Sequence, residues 1–333
     1  MKNIKKIRVS VYSDSLYFPK SWYGGVHSAF LNHVKLLKHS PHLFDVQVNS
    51  FRKADIYHVH TLSPFAPLIV SMASPVVTTA HITGQSIAGS SKGYQYIAPI
   101  FNKYQRWYFN HSDLVFAVSP DSKKFLSTQG ITPPIHVFPN PIDTTFFYNS
   151  DILREKGREY LKIRHDTFVV LSVGYFQTRK GIYDFIEVAK QHPQYTFVWV
   201  GGKSFGMSDV RLHTLPKNLL LVGTIPYSDL PEVYNAADLF FFPSYQENGS
   251  MAILEAAACG VPLLLRDLPS YKTLYKTGYA VGETIDEFVS KIQEFAAKNK
   301  KNQHVSQESL NLAHQYSIDA LATTLHEHYR TVL

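Results

Sequence analysis

The chain has 333 residues, about twice an ordinary single domain, so two domains are expected. Hydrophobic residues make up 45% and charged residues 18%, which excludes disorder, collagen and a small disulfide scaffold. Net charge is +7, and its excess lies in the first half: residues 1–150 carry 14 Lys and Arg against 6 Asp, the remainder 19 basic against 20 acidic residues. A basic half suits an anionic surface, either nucleic acid or a membrane face, and its plainer reading is a solubility charge. A single cysteine, Cys259, allows no intrachain disulfide and points to a reducing compartment. The basic N-terminus has no apolar core and no cleavage site, so it does not read as a signal peptide. The stretch Ala66–Ala80, broken by proline, serine and threonine, falls short of the roughly 20 apolar residues a membrane span needs.

In chain order, Ile7–Ser13 reads as a strand, followed by a loop with Gly24-Gly25 and a helix over Val26–Lys38. Short apolar runs follow at Ile56–His60, Val76–Thr83, Leu114–Ser119 and Ile135–Phe138. After the Pro139-Asn140-Pro141 punctuation the alternation is cleaner. Strands are predicted at Phe168–Phe176, Tyr195–Val200, Asn218–Val222, Asp238–Phe242 and Pro262–Arg266. Helices are predicted over Ile182–Gln191, Ser228–Asn235 and Met251–Ala258, and the region Val305–Leu333 reads as helical. Near-continuous apolar strands separated by helices mean parallel sheets covered on both faces. Two such units in series predict an α/β protein with two Rossmann-like, doubly wound domains.

The sharpest motif runs from Pro243 to Pro262, after one strand and into a helix. Gly249 and Ser250 would let a backbone approach a ligand and cap the helix, whose free N–H groups attract anions. Glu247 and Glu255 stand eight residues apart. A continuous helix would separate them by about 12 Å, too far to grip one atom but suited to two ends of a nucleotide-sugar. Taken alone, the pair reads as a loop charge and a helix-face charge. The second motif, Arg179-Lys180-Gly181, opens a helix after a strand. Cations there oppose the helix dipole, so they are held either for an anionic ligand or as a solvated surface pair. Gly24-Gly25 lacks a G-x-G-x-x-G pattern and is a phosphate loop or a simple turn.

Sixteen histidines are present; His58 and His60 alternate on one strand and His81 ends another. No H-E-x-x-H, cysteine cluster or D-x-D occurs, so no dedicated metal is expected. Lys92–Asn110 is basic and aromatic, with Lys92, Tyr96, Lys103, Arg106 and Trp107. It suits a membrane interface or single-stranded nucleic acid, with some rings packed in the core.

Glu247 to Glu255 resembles the E-x7-E motif of the retaining GT-B glycosyltransferases of family GT4. Arg179-Lys180-Gly181, the Gly24-Gly25 loop, the His81 strand end and Asn140-Pro141-Ile142-Asp143 fall in the order that family shows. The likeness covers nearly the whole chain, which also resembles the bacterial synthases that glycosylate diacylglycerol or its monoglycosyl form. It implies a GT-B fold: an acceptor- and membrane-binding domain over 1–145, a nucleotide-sugar domain over 146–316, and a last helix, about 317–333, crossing back onto the first. The two domains would face each other across a cleft. Donor binding would fall to Gly24, Gly25, Arg179, Lys180, Glu247, Gly249, Ser250, Met251 and Glu255. His81, Lys180 and Glu247 would serve catalysis: Glu247 on sugar hydroxyls, Arg179 and Lys180 on the diphosphate, His81 near the reacting carbon. Glu255 would hold the ribose. Tyr175 stands where many relatives carry Arg, and Asn248-Gly249-Ser250 replaces the usual Gly-Phe-Gly.

The expected activity is transfer of glucose or galactose from a UDP-sugar to a membrane glycolipid, turning monoglycosyl- into diglycosyldiacylglycerol. No tightly bound cofactor is implied beyond the UDP-sugar co-substrate, and a divalent cation has room to assist, though not through a D-x-D motif. The expected place is the cytoplasm, peripheral on the inner face of the membrane, with nucleic acid an unlikely partner. A polysaccharide or polyprenyl-linked acceptor is one alternative. A nucleotide-sugar epimerase and a non-catalytic nucleotide binder are alternatives of another class.

Overall fold

The computed structural model describes residues 5–17, 24–62, 66–84, 94–203, 210–212, 214–297 and 300–333. The described residues form two compact units. One comprises residues up to Asp143 together with Gln315–Leu333; the other comprises Thr144–His314.

The first unit holds β1 (Ile7–Tyr12), α1 (Gly25–His39), β2 (Phe44–Val48), β3 (Ile56–Val59), α2 (Ala66–Met72), β4 (Val76–Ala80), α3 (Tyr94–Asn110), β5 (Leu114–Ala117), α4 (Pro120–Ser127) and β6 (Ile135–Val137). Its six strands are parallel in the order β2-β1-β3-β4-β5-β6. β4 is buried along its whole length, as a strand covered on both faces must be. The order reverses beside β1, so the loops after β1 and β3 leave a switch point at the carboxyl edge. The C-terminal helix, Ile318–Arg330, belongs to this unit. Its Ile318, Leu321, Leu325 and Tyr329 share a core with Val9, Phe30, Phe44 and Phe116. Ile142 bonds both ways with the start of that helix, donating to Tyr316 O and accepting from Ile318 N.

The second unit holds α5 (Asp151–Tyr160), β7 (Val169–Val173), α6 (Ile182–Gln191), β8 (Thr196–Val200), β9 (Leu219–Gly223), α7 (Leu230–Asn235), β10 (Leu239–Phe242), α8 (Met251–Ala258), β11 (Leu263–Arg266), α9 (Pro269–Leu274), β12 (Ala280–Gly282), α10 (Ile285–Ala296) and α11 (Lys300–Gln315). The order β12-β11-β10-β7-β8-β9 is again parallel. It reverses between β7 and β10, so the loops after these two strands form the switch point. The helices predicted over Ile182–Gln191 and Met251–Ala258 have those bounds. The strands predicted for this half are present, each starting one residue later than predicted; the first ends three residues earlier, at Val173, and the third runs on to Gly223. The helix expected from Ser228 is a single 3-10 turn, Tyr227–Asp229, and then α7.

Two glycines fix the second switch point. Gly181 adopts φ +77°, and a Cβ there would fall 2.2 Å from Pro243 O, so the turn after β7 lies directly on the chain leaving β10. Gly201, at φ +116°, would place a Cβ 2.2 Å from Gly174 O. That carbonyl also accepts from Trp199 Nε1 at 2.8 Å, which pins the end of β7.

Candidate active site

At the second unit's switch point, one carboxylate gathers two cations. Lys180 Nζ lies 2.6 Å and Arg179 Nη1 3.2 Å from Glu247 Oε1. Ser244 Oγ donates to the same oxygen at 2.7 Å. Arg179 also donates to Gln246 O at 2.5 Å and to Gln177 Oε1 at 3.2 Å. Lys180 Nζ stands 5.0 Å from the centre of the Phe242 ring, adding a cation–π contact. Glu247 is buried, Arg179 and Lys180 are partly exposed, and the trio carries a net +1, the sign that suits a phosphate. Burial pushes the Glu247 carboxyl upward, but Lys180 and Arg179 outweigh it and hold the group below its usual value. Burial pulls Lys180 down, partly offset by Glu247.

The local structure corrects three expectations. Arg179 and Lys180 do not open the helix: they form a 3-10 turn, Thr178–Lys180, and α6 begins after the left-handed Gly181. They still precede the N-terminus of α6, and Glu247 is the anionic partner within the chain that offsets the dipole there. Residues 247–250 are not helical either, since α8 begins at Met251. The 12 Å helical separation of the two glutamates thus does not apply. Ser250 occupies the N-cap position of α8, but its side chain makes no capping bond. Its carbonyl instead accepts from Tyr275 Oη at 3.4 Å.

Glu255 is buried one turn into α8, and Tyr234 donates to its Oε2 at 2.7 Å. Burial followed by the charge of Glu255 drives the Tyr234 phenol well above its usual pKa, so it stays a donor. Ser244 and Tyr234 were not singled out by sequence. Ser244 stands three residues before Glu247 and was within reach of motif reading, whereas Tyr234 meets Glu255 only through tertiary packing. Arg266, at the end of β11, was missed too: it is paired with Asp184 and stacked 4.0 Å from the Tyr245 ring centre, bracing the loop that carries Glu247.

In the first unit, Gly24 is the N-cap of α1 without a side-chain cap, and a Cβ on Gly25 would meet nothing within 4 Å. The first-turn N–H groups of this 15-residue helix therefore have a capping position with no side chain across it. His81 follows β4, half-buried, with Nε2 3.0 Å from His60 Nδ1. Burial lowers the His81 pKa to about 4. Nitrogens of His33, His58 and His60 lie within 4.8 Å of one another, the one such group of potential metal ligands among the described residues. His33 comes from α1, so no sequence spacing announced the cluster. Both His58 nitrogens are engaged, with Tyr329 Oη and Thr79 Oγ1, each at 2.7 Å.

On α3, Tyr96, Ile100, Lys103 and Trp107 recur at helical spacing and all are exposed, Tyr96 and Ile100 by 78% and 73%. Tyr108 and Phe109, from the same segment, are buried in the core. Arg106 is exposed, but its Nε donates to Gln129 O at 2.7 Å, so it also holds a loop. Lys92 lies outside the described residues. Among the described residues no helix is long and apolar enough to cross a membrane.

Comparison with known proteins agrees with this geometry. Residues 154–311 match the family model "Glycosyl transferases group 1", and residues 7–146 match "Glycosyltransferase Family 4". The chain is 30% identical over 332 residues to the alpha-galactosylglucosyldiacylglycerol synthase of Streptococcus pneumoniae, covering 95% of this chain and 87% of that protein. It is 31% identical over 202 residues to the processive diacylglycerol alpha-glucosyltransferase of Acholeplasma laidlawii, covering 59% and 61% respectively. Among solved structures, sucrose-phosphate synthase from Thermosynechococcus elongatus superposes with a TM-score of 0.77 at 16% identity, covering 98% of this chain and 99% of that one. Anabaena HepE in complex with UDP-glucose gives 0.75 at 18%, covering 98% and 100%. These superpositions establish the GT-B fold, and the full-length sequence likeness establishes the family: this chain is a glycosyltransferase of family GT4.

Proposed function

We propose that the chain is a retaining enzyme that moves one hexose, glucose or galactose, from a UDP-sugar to monoglycosyldiacylglycerol, giving a diglycosyldiacylglycerol. The observation that carries this reading is the Arg179–Lys180–Glu247 trio, built on a buried carboxylate at the second unit's switch point, where open α/β sheets bind ligands. Lys180 and Arg179 neutralise the donor's diphosphate as charge develops on it, which is electrostatic stabilisation by groups already in place. Glu247, turned toward sugar hydroxyls when the diphosphate takes over its cations, orients the hexose with help from the backbone of Gly249, Ser250 and Met251. Glu255, oriented by Tyr234, holds the ribose. Gly24 and Gly25 offer the first N–H groups of α1 to the phosphates, and His81 contacts the hexose. The leaving phosphate takes the proton of the acceptor hydroxyl as the new bond forms on the same face, so no carboxylate nucleophile is needed.

The lipid acceptor follows from the acceptors in the two relatives' names and from the α3 stripe. Tyr96, Ile100 and Trp107 enter the interface of an anionic leaflet while Lys103 and Arg106 meet its headgroups, with Lys92 as a further basic contact. The enzyme then works peripherally, on the inner face of the membrane.

The test is nucleotide release across a panel of UDP-sugars, with mixed micelles of diacylglycerol or monoglucosyldiacylglycerol, with and without anionic lipid. Release that needs one UDP-sugar together with the monoglycosyl lipid, with a one-hexose gain in product mass, supports the reading. Sugar turnover without any lipid contradicts it and points to an epimerase or a soluble acceptor.

A further inference from the structure

Behind His81 stands a set of side chains to which neither the E-x7-E motif nor the proposed donor site assigns a role. His33 on α1, His58 on β3 and His60 just after it pack ring to ring, with centroids 4.3 to 4.6 Å apart. All three are buried, and burial, reinforced by their neighbours, lowers each pKa, so the group is neutral at physiological pH. A neutral imidazole carries one N–H, and which nitrogen bears it is set by hydrogen bonding.

The bonding pattern fixes the proton on His60. Its Nδ1 faces His81 Nε2 at 3.0 Å, with the rings stacked at 5.2 Å. Its Nε2 is enclosed and has no hydrogen-bond partner. A proton on Nε2 would leave a buried N–H unsatisfied, and orphaned buried N–H groups are the rarest kind. A proton on Nδ1 is satisfied by the His81 nitrogen. The His60 ring cannot turn to escape this choice, because His33, His58 and Phe30 pack against it. The frame reaches further, since Tyr329 Oη on the C-terminal helix lies 2.7 Å from His58 Nδ1 and 3.1 Å from His33 Nε2.

We infer that His60 is a positioning residue that donates Nδ1–H to His81 Nε2, so that His81 is held as its Nδ1–H tautomer and acts as a hydrogen-bond donor rather than a base. His81 Nε2 is occupied as an acceptor, so it has no lone pair there to take a proton from an acceptor hydroxyl. This fits a reaction in which the leaving phosphate takes that proton, and it rests on the proposed role of His81 at the sugar. The assignment of the tautomer itself does not depend on that role.

The test uses the full chain labelled with 15N-histidine. Long-range 1H–15N spectra at neutral pH read each ring's tautomer, with a His81→Gln variant to assign the signal. The expected result is that His81 is protonated at Nδ1 in the wild type. In His60→Leu it should lose that single tautomer, with kcat down about tenfold, the worth of one hydrogen bond, and donor KM little changed. His60→Asn, whose amide nitrogen can occupy the place of Nδ1, should restore most of both. A wild-type His81 protonated at Nε2, or a His60→Leu protein with unchanged tautomer and kcat, overturns the inference. Because the spectrum is read without substrate, failure of the transferase reading would leave the tautomer result standing.

Discussion

The two units solve the same architectural problem with opposite chemistry. Each has a six-stranded parallel sheet whose strand order reverses once, and each puts candidate residues at the carboxyl edge: Arg179, Lys180 and Glu247 at the second reversal, Gly24 and Gly25 after β1 and His81 after β4 in the first unit. In the second unit the loops are tied by charge: Lys180 and Arg179 on Glu247, and Arg266 on Asp184. In the first unit the residues behind the loop are tied by neutral imidazoles, His33, His58, His60 and His81, with Tyr329. A charged site can exchange one anionic partner for another, as binding a diphosphate requires. A neutral, ring-packed site cannot, and is suited to holding one side chain still.

The largest effect that separates the units is acid sensitivity. The folded pKa values of His33, His58, His60 and His81 are depressed, to about 3 for His33 and about 4 for His81. The unfolded chain therefore binds more protons below the ordinary histidine value of 6.5. Their contribution is present above pH 6.5 and is lost as pH falls toward 4 and 3, at about 1.4 kcal/mol per pH unit for each histidine. Hydrogen exchange read by mass spectrometry at pH 7 and pH 5 should show the first unit loosening ahead of the second. His33→Leu should flatten the dependence, and earlier loosening of the second unit would reverse the comparison.

Glu247→Gln should come next. It leaves the partly buried Lys180 and Arg179 without their carboxylate, a loss of about 2 kcal/mol by urea unfolding. A stability equal to wild type would mean the trio is far better solvated than its burial implies. Gly181→Ala should cost about 2 kcal/mol, because an L side chain at φ +77° is strained and the new Cβ meets Pro243 O. It should also shift the turn that carries Arg179 and Lys180, visible as weaker UDP binding along with a lower melting temperature. The smallest effect belongs to the exposed α3 stripe: on the proposed membrane contact, Lys103→Ala should weaken flotation with anionic vesicles by about 1 kcal/mol and leave neutral vesicles unaffected.

What could be read in advance follows the same division. The strands β7, β10 and β11 are near-continuous apolar runs, and the motif around Glu247 is local, so sequence alone located both. Of the four edge strands, β6 and β9 were found and β2 and β12 were not: β2, Phe-Asp-Val-Gln-Val, is mixed in polarity, and β12 has three residues. The helix Asp151–Tyr160 was missed because its charged composition hides its periodicity. The start positions of α6 and α8 were legible, but the missing side-chain bond of the Ser250 cap and the 3-10 turn that holds Arg179 and Lys180 before the left-handed Gly181 were not, since sequence spacing cannot shape a loop. Tyr234 with Glu255, and His60 with His81, are partners across 21 residues each, brought together only by the sheets.

The proposed donor site holds a nucleoside diphosphate through Lys180 and Arg179. The most direct measurement is calorimetric titration of UDP into the wild type, Lys180→Met and Lys103→Ala. The predicted result is at least about a tenfold weaker Kd for Lys180→Met, the loss of one charge-assisted contact, with Lys103→Ala matching the wild type. Equal UDP affinity in wild type and Lys180→Met would contradict the account.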